Sequence, residues 1–139
     1  MMGHRSNYID ATTGQLKRGS IAVVYHYVAR SFRDEQGKYA RLSEPRTIPI
    51  SGIARFAGLP WAFVGGKIAA SNRPTIKLIA HALLRLQRAN LIEVYPCDGL
   101  SVCVRLRVTP ETLRTRYGEH AVSRALKDAE RGMARVSTV

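Results

Sequence analysis

The chain has too little cysteine for a disulfide framework and no apolar run long enough for a membrane span. Its two cysteines are Cys97 and Cys103, and no Cys or His pair has the spacing of zinc ligands. The best apolar run, "IAVVYHYVA", is far shorter than the roughly 20 residues that span a bilayer, and the N-terminus lacks the apolar core of a signal peptide. These absences predict a soluble, cytoplasmic protein with reduced cysteines, no metal and no membrane partner.

Acidic residues are scarce, and one long stretch has none. The chain carries 22 Lys and Arg against 10 Asp and Glu, a formal net charge of +12. From residue 45 to 92 there are seven bases and no acid, although bases on an ordinary protein surface usually alternate with acidic partners. Such a positive field attracts polyanions. It predicts a surface that faces nucleic acid, with membrane lipid or an acidic protein as the alternatives.

Clustered catalytic residues are also missing. Nucleases and phosphoryl-transfer enzymes use grouped carboxylates to hold a metal ion, and the basic centre of the chain offers none. The four histidines are scattered, and "FVGGK" lacks both the spacing of a P-loop and the Ser or Thr that follows its Lys. The sequence therefore predicts a protein that is not an enzyme and needs no cofactor.

What the sequence does contain is enough apolar material for one domain, at 139 residues and 45% hydrophobic. We predict a flexible polar arm at 1–18, a folded domain at 19–108 and a helical extension at 109–139. Within the domain, helices are predicted to start at Ser20 and at Ser51. "TIPI", residues 47–50, is predicted as an edge strand because proline is tolerated at a sheet edge.

The longest helix is predicted between Asn72 and Ala89, with Pro74 in its first turn. Spacing at about 100° per residue places one apolar arc toward the core: Ile76, Ile79, Ala80, Leu83 and Leu86. The opposite side carries a basic stripe that only Leu84 interrupts: Lys77, His81, Arg85 and Arg88.

The segment after this helix, "LIEVYPCDGLSVCVRLRV", predicts a β-hairpin around an Asp-Gly turn. A three-residue loop at 97–99 would pair Ile92 with Val104 and keep the apolar residues on one face. A two-residue loop would pair Ile92 with Arg105 and mix the faces, so we prefer the former. Arg105 and Arg107 then point outward.

Helix, turn, long helix and hairpin in this order resemble a winged helix-turn-helix domain. Ala54, Gly58 and Val64 stand at the offsets of the helix crossing, the turn and the apolar residue that packs back. "RPTIKLIAHALLRLQRANLIEVYP" is similar to the recognition helix and wing entry of bacterial GntR and MarR regulators, with an Arg and a Thr at the helix start and a Leu-x-x-Leu rhythm. The resemblance covers roughly residues 48–108. It implies an α+β fold with three or more helices, a two-stranded wing and a C-terminal helical extension.

The same resemblance implies the residues that touch DNA. Arg73, Thr75 and Lys77 would contact base edges, and seven bases would contact the backbone: Arg55, Lys67, His81, Arg85, Arg88, Arg105 and Arg107. A rival alignment makes 61–70 the recognition helix instead of 74–90, with Trp61 and Lys67 in the groove. The adjacent glycines at 65 and 66 would cost that helix roughly 1 kcal/mol each.

These patterns predict a sequence-specific double-stranded DNA-binding protein, a transcriptional regulator that acts by occupying its site. "YIDATTGQL" is similar to the openings of winged-helix plasmid replication proteins, so a plasmid or phage replication initiator is one alternative. Another is a non-catalytic subunit of a nucleoprotein complex that grips RNA or a nucleic-acid backbone, and a third is a pure protein-interaction domain. The C-terminal apolar stripe (Val122, Leu126, Ala129 and Met133) is predicted to pack on the core, or else to form a homodimer through 119–135.

Overall fold

The computed structural model describes residues 8–62, 70–95 and 99–138, with side chains of the last helix described to residue 132. The described residues form an α+β fold, as the sequence predicts, with five α-helices and three strands. The helices are α1 (Arg18–Arg30), α2 (Ile50–Ala57), α3 (Arg73–Arg88), α4 (Pro110–Tyr117) and α5 (Ala121–Thr138). The strands are β1 (Arg46–Pro49), β2 (Ile92–Tyr95) and β3 (Ser101–Leu106).

The three strands form an antiparallel sheet in the order β1-β3-β2. The predicted edge strand around residues 47–50 is therefore confirmed, since β1 lies at one edge and ends with Pro49. A proline at an edge removes no hydrogen bond from a neighbouring strand on the open side. The central strand β3 pairs with β2 in the hairpin on one side and with β1, which directly precedes α2, on the other.

The hairpin pairs with a different register from the one predicted. Ile92 lies opposite Leu106, and Val94 lies opposite Val104, so the predicted pairing of Ile92 with Val104 is wrong by two residues. The rival pairing of Ile92 with Arg105 is wrong as well. A shift of two preserves the alternation of faces, which is why Ile92, Val104 and Leu106 are all buried as predicted.

The start of the chain differs from the predicted arm. Residues 8–17 close a turn in which Lys17 N donates to Tyr8 O at 2.9 Å, and Leu16 is buried in the core. The turn is held by Asp10, whose backbone N donates to Gln15 O at 2.7 Å. Leu16, together with Tyr8, which packs against the core, anchors this segment.

The capping residues define where the helices begin and end. Thr109 caps α4 by accepting a hydrogen bond from Thr112 N at 3.3 Å, a position that threonine favours. Lys17 and Pro49, rather than Ser20 and Ser51, are the N-caps of α1 and α2. α2 ends at Gly58, whose φ of 72° is the left-handed conformation that glycine adopts without strain.

The core is built mainly from α1, α3 and the inner face of the sheet. On α3, Ile79, Leu83 and Leu86 are buried as predicted, whereas Ala80 is exposed and Ala82 is buried in its place. On α5, Val122 and Leu126 are buried in the same core, in keeping with the packing interpretation of the C-terminal stripe. The Met133 side chain lies outside the described residues, and dimerisation through 119–135 stays a prediction.

Tyr25 ties α1 to the link between β3 and α4. The ring is fully buried, and its hydroxyl donates to Val108 O at 2.5 Å. Burial, reinforced by the nearby Tyr39 and Glu111, raises the pKa of Tyr25, so the hydroxyl stays a donor at physiological pH.

Removing this hydroxyl is expected to destabilise the fold. Tyr25→Phe leaves the Val108 carbonyl without its donor and should lower the free energy of unfolding by about 1–2 kcal/mol in urea titrations. Tyr27→Phe is the matched control, because Tyr27 lies half-buried on the same helix and its hydroxyl has no hydrogen bond to a described residue. Equal losses in the two variants would contradict the assigned role.

Candidate nucleic-acid interface

The exposed face of α3 is the strongest candidate for contact with a polyanion. Five of its side chains fall within an arc of about 80° at 100° per residue and are exposed: Arg73, Lys77, His81, Leu84 and Arg88. α3 contains no acidic residue at all. The predicted basic stripe is therefore present in part: Lys77, His81 and Arg88 are exposed and Arg73 extends the stripe, whereas Arg85 is partly buried.

The N-terminal half of this face is open. Arg73 and Lys77 are exposed, and neither forms an ion pair with a described residue. They lie one helical turn apart, so the two cations follow the helix axis about 6 Å from each other. This end of α3 can meet an anionic partner without first breaking a described ion pair.

Two buried polar side chains fix the same end of α3 to the segment that follows α2. The Asn72 amide donates to Ala62 O at 2.8 Å and accepts from Ala62 N at 2.7 Å. Thr75 donates its hydroxyl hydrogen to Pro60 O at 2.8 Å. Only 2% of Asn72 and 3% of Thr75 is exposed.

Thr75 therefore does not fit the predicted role of a base contact. Its hydroxyl points back into the protein because the Pro60 carbonyl needs a donor, and burial keeps it from any partner in solution. Asn72 stands at the N-cap position of α3, where asparagine often caps a helix, but its side chain caps no amide of α3 and instead pairs with the backbone of Ala62.

Arg85 is engaged within the protein. Glu130 on α5 accepts hydrogen bonds from Arg85 and, at 2.7 Å, from Arg18 on α1. One carboxylate thus links three helices. The predicted contact between Arg85 and a DNA backbone would have to compete with the Arg85–Glu130 pair. Residue spacing along the chain does not reveal this pair, because Glu130 lies 45 residues after Arg85.

The Glu130 pairs are expected to contribute stability that is lost in acid. Burial alone would raise the pKa of Glu130, but the hydrogen bonds and charges of Arg18 and Arg85 outweigh it, and the pKa lies below its ordinary value. A lowered folded-state pKa means stability that is present at neutral pH and disappears as the pH falls below 4.5 and then through the lowered pKa.

Glu130→Gln should therefore lower the free energy of unfolding at pH 7 by less than about 1 kcal/mol, because the carboxylate is 42% exposed and solvent screens the pairs. The difference from the native chain should vanish at acidic pH. Asp128→Asn, on the exposed side of α5, is the control without a described ion pair. A Glu130→Gln difference that stays constant down to pH 3 would contradict the prediction.

In the hairpin, two arginines pair with one acidic residue, Glu93. Glu93 on β2 lies opposite Arg105 on β3 and pairs with it at 2.7 Å, while Arg107 lies 3.7 Å from the same carboxylate. Arg105 is half-buried, and Arg107 is the more exposed of the two. Both face outward as predicted, but Arg107 is the better placed for a polyanion.

The hairpin is fixed to α3 by a direct hydrogen bond. Val94 N on β2 donates to the Gln87 side-chain oxygen on α3 at 2.7 Å. This bond holds β2 against the C-terminal half of α3.

Of the other residues predicted to contact DNA, the structure describes Arg55 and Trp61 but not Lys67. Arg55 is exposed on α2, and Ala54 beside it is buried where α2 packs. Trp61, a groove contact in the rival alignment, is half-buried against the core. Lys67 and Val64 lie outside the described residues, as does most of the rival recognition helix at 61–70.

Two negative findings concern the described part of the chain. No group of three or more His, Cys, Asp or Glu side chains is placed to hold a metal ion there. None of the described helices combines the length and the hydropathy that a bilayer-spanning segment needs.

Comparison with known proteins adds no relative: none of the known family models matches the chain, and no curated protein or solved structure is significantly similar to it.

Proposed function

We propose that this chain is a winged helix-turn-helix protein that binds double-stranded DNA in a sequence-specific manner and regulates transcription by occupying its site. The observation that carries the proposal is the exposed N-terminal half of α3, where Arg73 and Lys77 stand on an acid-free helix that a buried Asn72 and Thr75 hold in place. An α-helix fits the major groove of B-DNA, where arginine and lysine read guanine.

The order of elements supports the proposal. α1, β1, α2, α3 and the β2-β3 hairpin follow one another as in the winged-helix layout, and β1 completes a small sheet with the hairpin. α3 then takes the part of the recognition helix, and the hairpin takes the part of the wing. The alternative at 61–70 has less support, because the two glycines there disfavour a helix.

The proposed contacts fall into two kinds. Arg73 and Lys77 read base edges at the start of α3, whereas Arg55 and Arg107 contact phosphates on either side. Phosphate contacts supply affinity that weakens with salt, and base contacts supply the preference for one sequence. Arg85 and Arg105 are not assigned DNA contacts in this proposal, because they form ion pairs with Glu130 and Glu93 within the protein.

A selection from a random pool of duplex DNA tests the proposal, run at about 0.15 M salt to screen non-specific attraction. An enriched motif supports a sequence-reading protein, and a palindromic motif adds a dimer on two half-sites. A replication initiator would also enrich a motif, which would then be found repeated at an origin. Binding without enrichment of a motif would show that the protein does not read bases, and would favour a subunit that binds the nucleic-acid backbone. Absence of binding would favour a domain that binds another protein.

A further inference from the structure

An open groove of about 880 Å³ lies between the turn at 8–17, the C-terminal half of α3 and α5. We name it the α3–α5 groove. Its volume falls within the roughly 300–1,000 Å³ that is usual for sites of small molecules. The groove lies beyond the part of α3 assigned above to DNA bases, since His81 and Arg88 line it and Arg73 and Lys77 do not.

Apolar side chains from three segments line the groove. Leu84, in the C-terminal half of α3, is 39% exposed. Ile9 from the turn and Ala129 from α5 line the groove with it. Covering this surface with an apolar group would remove it from water at a gain of about 25 cal/mol per Å².

The charged lining favours an anion. It contains four bases and two acids: Lys17, Arg18, Arg85, Arg88, Asp10 and Glu130. Glu130 is already held by Arg18 and Arg85, and Asp10 accepts from Thr12 N at 2.8 Å within its own turn. Lys17 and Arg88 are exposed, and neither pairs with a described acid.

The start of α1 adds to this positive potential. Lys17 and Arg18 line the groove at the first residues of the helix, which has no side-chain cap and no acidic residue in its first turn. The partial positive charge of the helix N-terminus adds to that of Lys17 and Arg18, and Glu130 beside Arg18 offsets part of it.

We propose that the α3–α5 groove is a binding site for a small organic anion with an apolar body. Leu84, Ile9 and Ala129 contact the body, and Arg88 and Lys17 hold the anionic head group. The ligand would touch α3 on the same exposed face as the proposed DNA contacts, about two turns further along. The inference needs no DNA and stands independently of the function proposed above.

Isothermal titration calorimetry of the full chain with sodium decanoate, below its micelle concentration, tests the site. Decanoate joins an apolar chain to a carboxylate, so we expect saturable binding at one site per chain. Leu84→Ser and Arg88→Ser should each weaken it about tenfold or more. Decanol, without the charge, and acetate, without the chain, should both bind more weakly than decanoate.

Arg116→Ser is the matched control, because Arg116 is an exposed base on α4 that does not line the groove. It should bind decanoate like the native chain. Absence of saturable binding, or an equal loss in Arg116→Ser and Arg88→Ser, would overturn the proposal. Circular dichroism checks folding. If Leu84→Ser fails to fold, native-like affinity in the exposed Arg88→Ser variant is sufficient to reject the site.

Discussion

Under the proposed function, Arg73→Ala is expected to lower the preference for the selected DNA sequence over a scrambled one by about 1–3 kcal/mol, or roughly 5- to 150-fold. Arg73 is exposed at the start of α3, where a guanidinium can form two hydrogen bonds to the O6 and N7 atoms of one guanine. Alanine leaves that base pair unread. Fluorescence anisotropy with the selected duplex and with a scrambled duplex of equal length measures the preference directly.

A second variant separates base readout from attraction to the backbone. Arg107→Ala, on the hairpin side, should weaken binding to both duplexes alike and reduce the slope of log affinity against log salt by about 0.9. Arg116→Ala on α4 should change neither quantity. If Arg73→Ala weakens the two duplexes equally, then α3 does not read bases, and a subunit that grips the backbone becomes the better hypothesis.

Local sequence patterns predict most of the secondary structure in this protein. α3 and the alternation of the hairpin faces follow from periodicity, which depends on neighbours within a few residues. The Thr109 cap follows from the preference of threonine for that position. The hairpin register was wrong by two residues because alternation fixes parity but does not fix the length of the loop.

The candidate site depends on contacts that no local pattern contains. Thr75 is buried because the carbonyl of Pro60, 15 residues earlier, accepts from it. Arg85 is held by Glu130, 45 residues later, although no acid stands near it in sequence. The α3–α5 groove likewise joins residues 9–18 to α5, so only the tertiary fold brings its lining together.

Asn72→Ala is expected to lower the free energy of unfolding by about 2–4 kcal/mol, the largest loss predicted for a polar residue here. The substitution leaves both the N–H and the C=O of Ala62 without the partners that the amide provides at 2.7 and 2.8 Å. Asn72→Asp should also be costly at neutral pH, because a carboxylate can accept from Ala62 N but would face Ala62 O without a proton to donate. Urea titration of each variant gives the loss.

Ser71→Ala is the matched control for both substitutions, since Ser71 is the exposed neighbour in the same short 3₁₀ turn and should change stability by less than about 0.5 kcal/mol. Hydrogen exchange at the Ala62 amide adds a local measurement, because that amide should lose protection in Asn72→Ala at low temperature even where the chain stays folded. A loss as small as that of Ser71→Ala, with Ala62 still protected, would show that the backbone finds other partners. The start of α3 would then be held by Thr75 and apolar packing alone, and the exposed Arg73 would be less rigidly presented than its proposed role in reading a base requires.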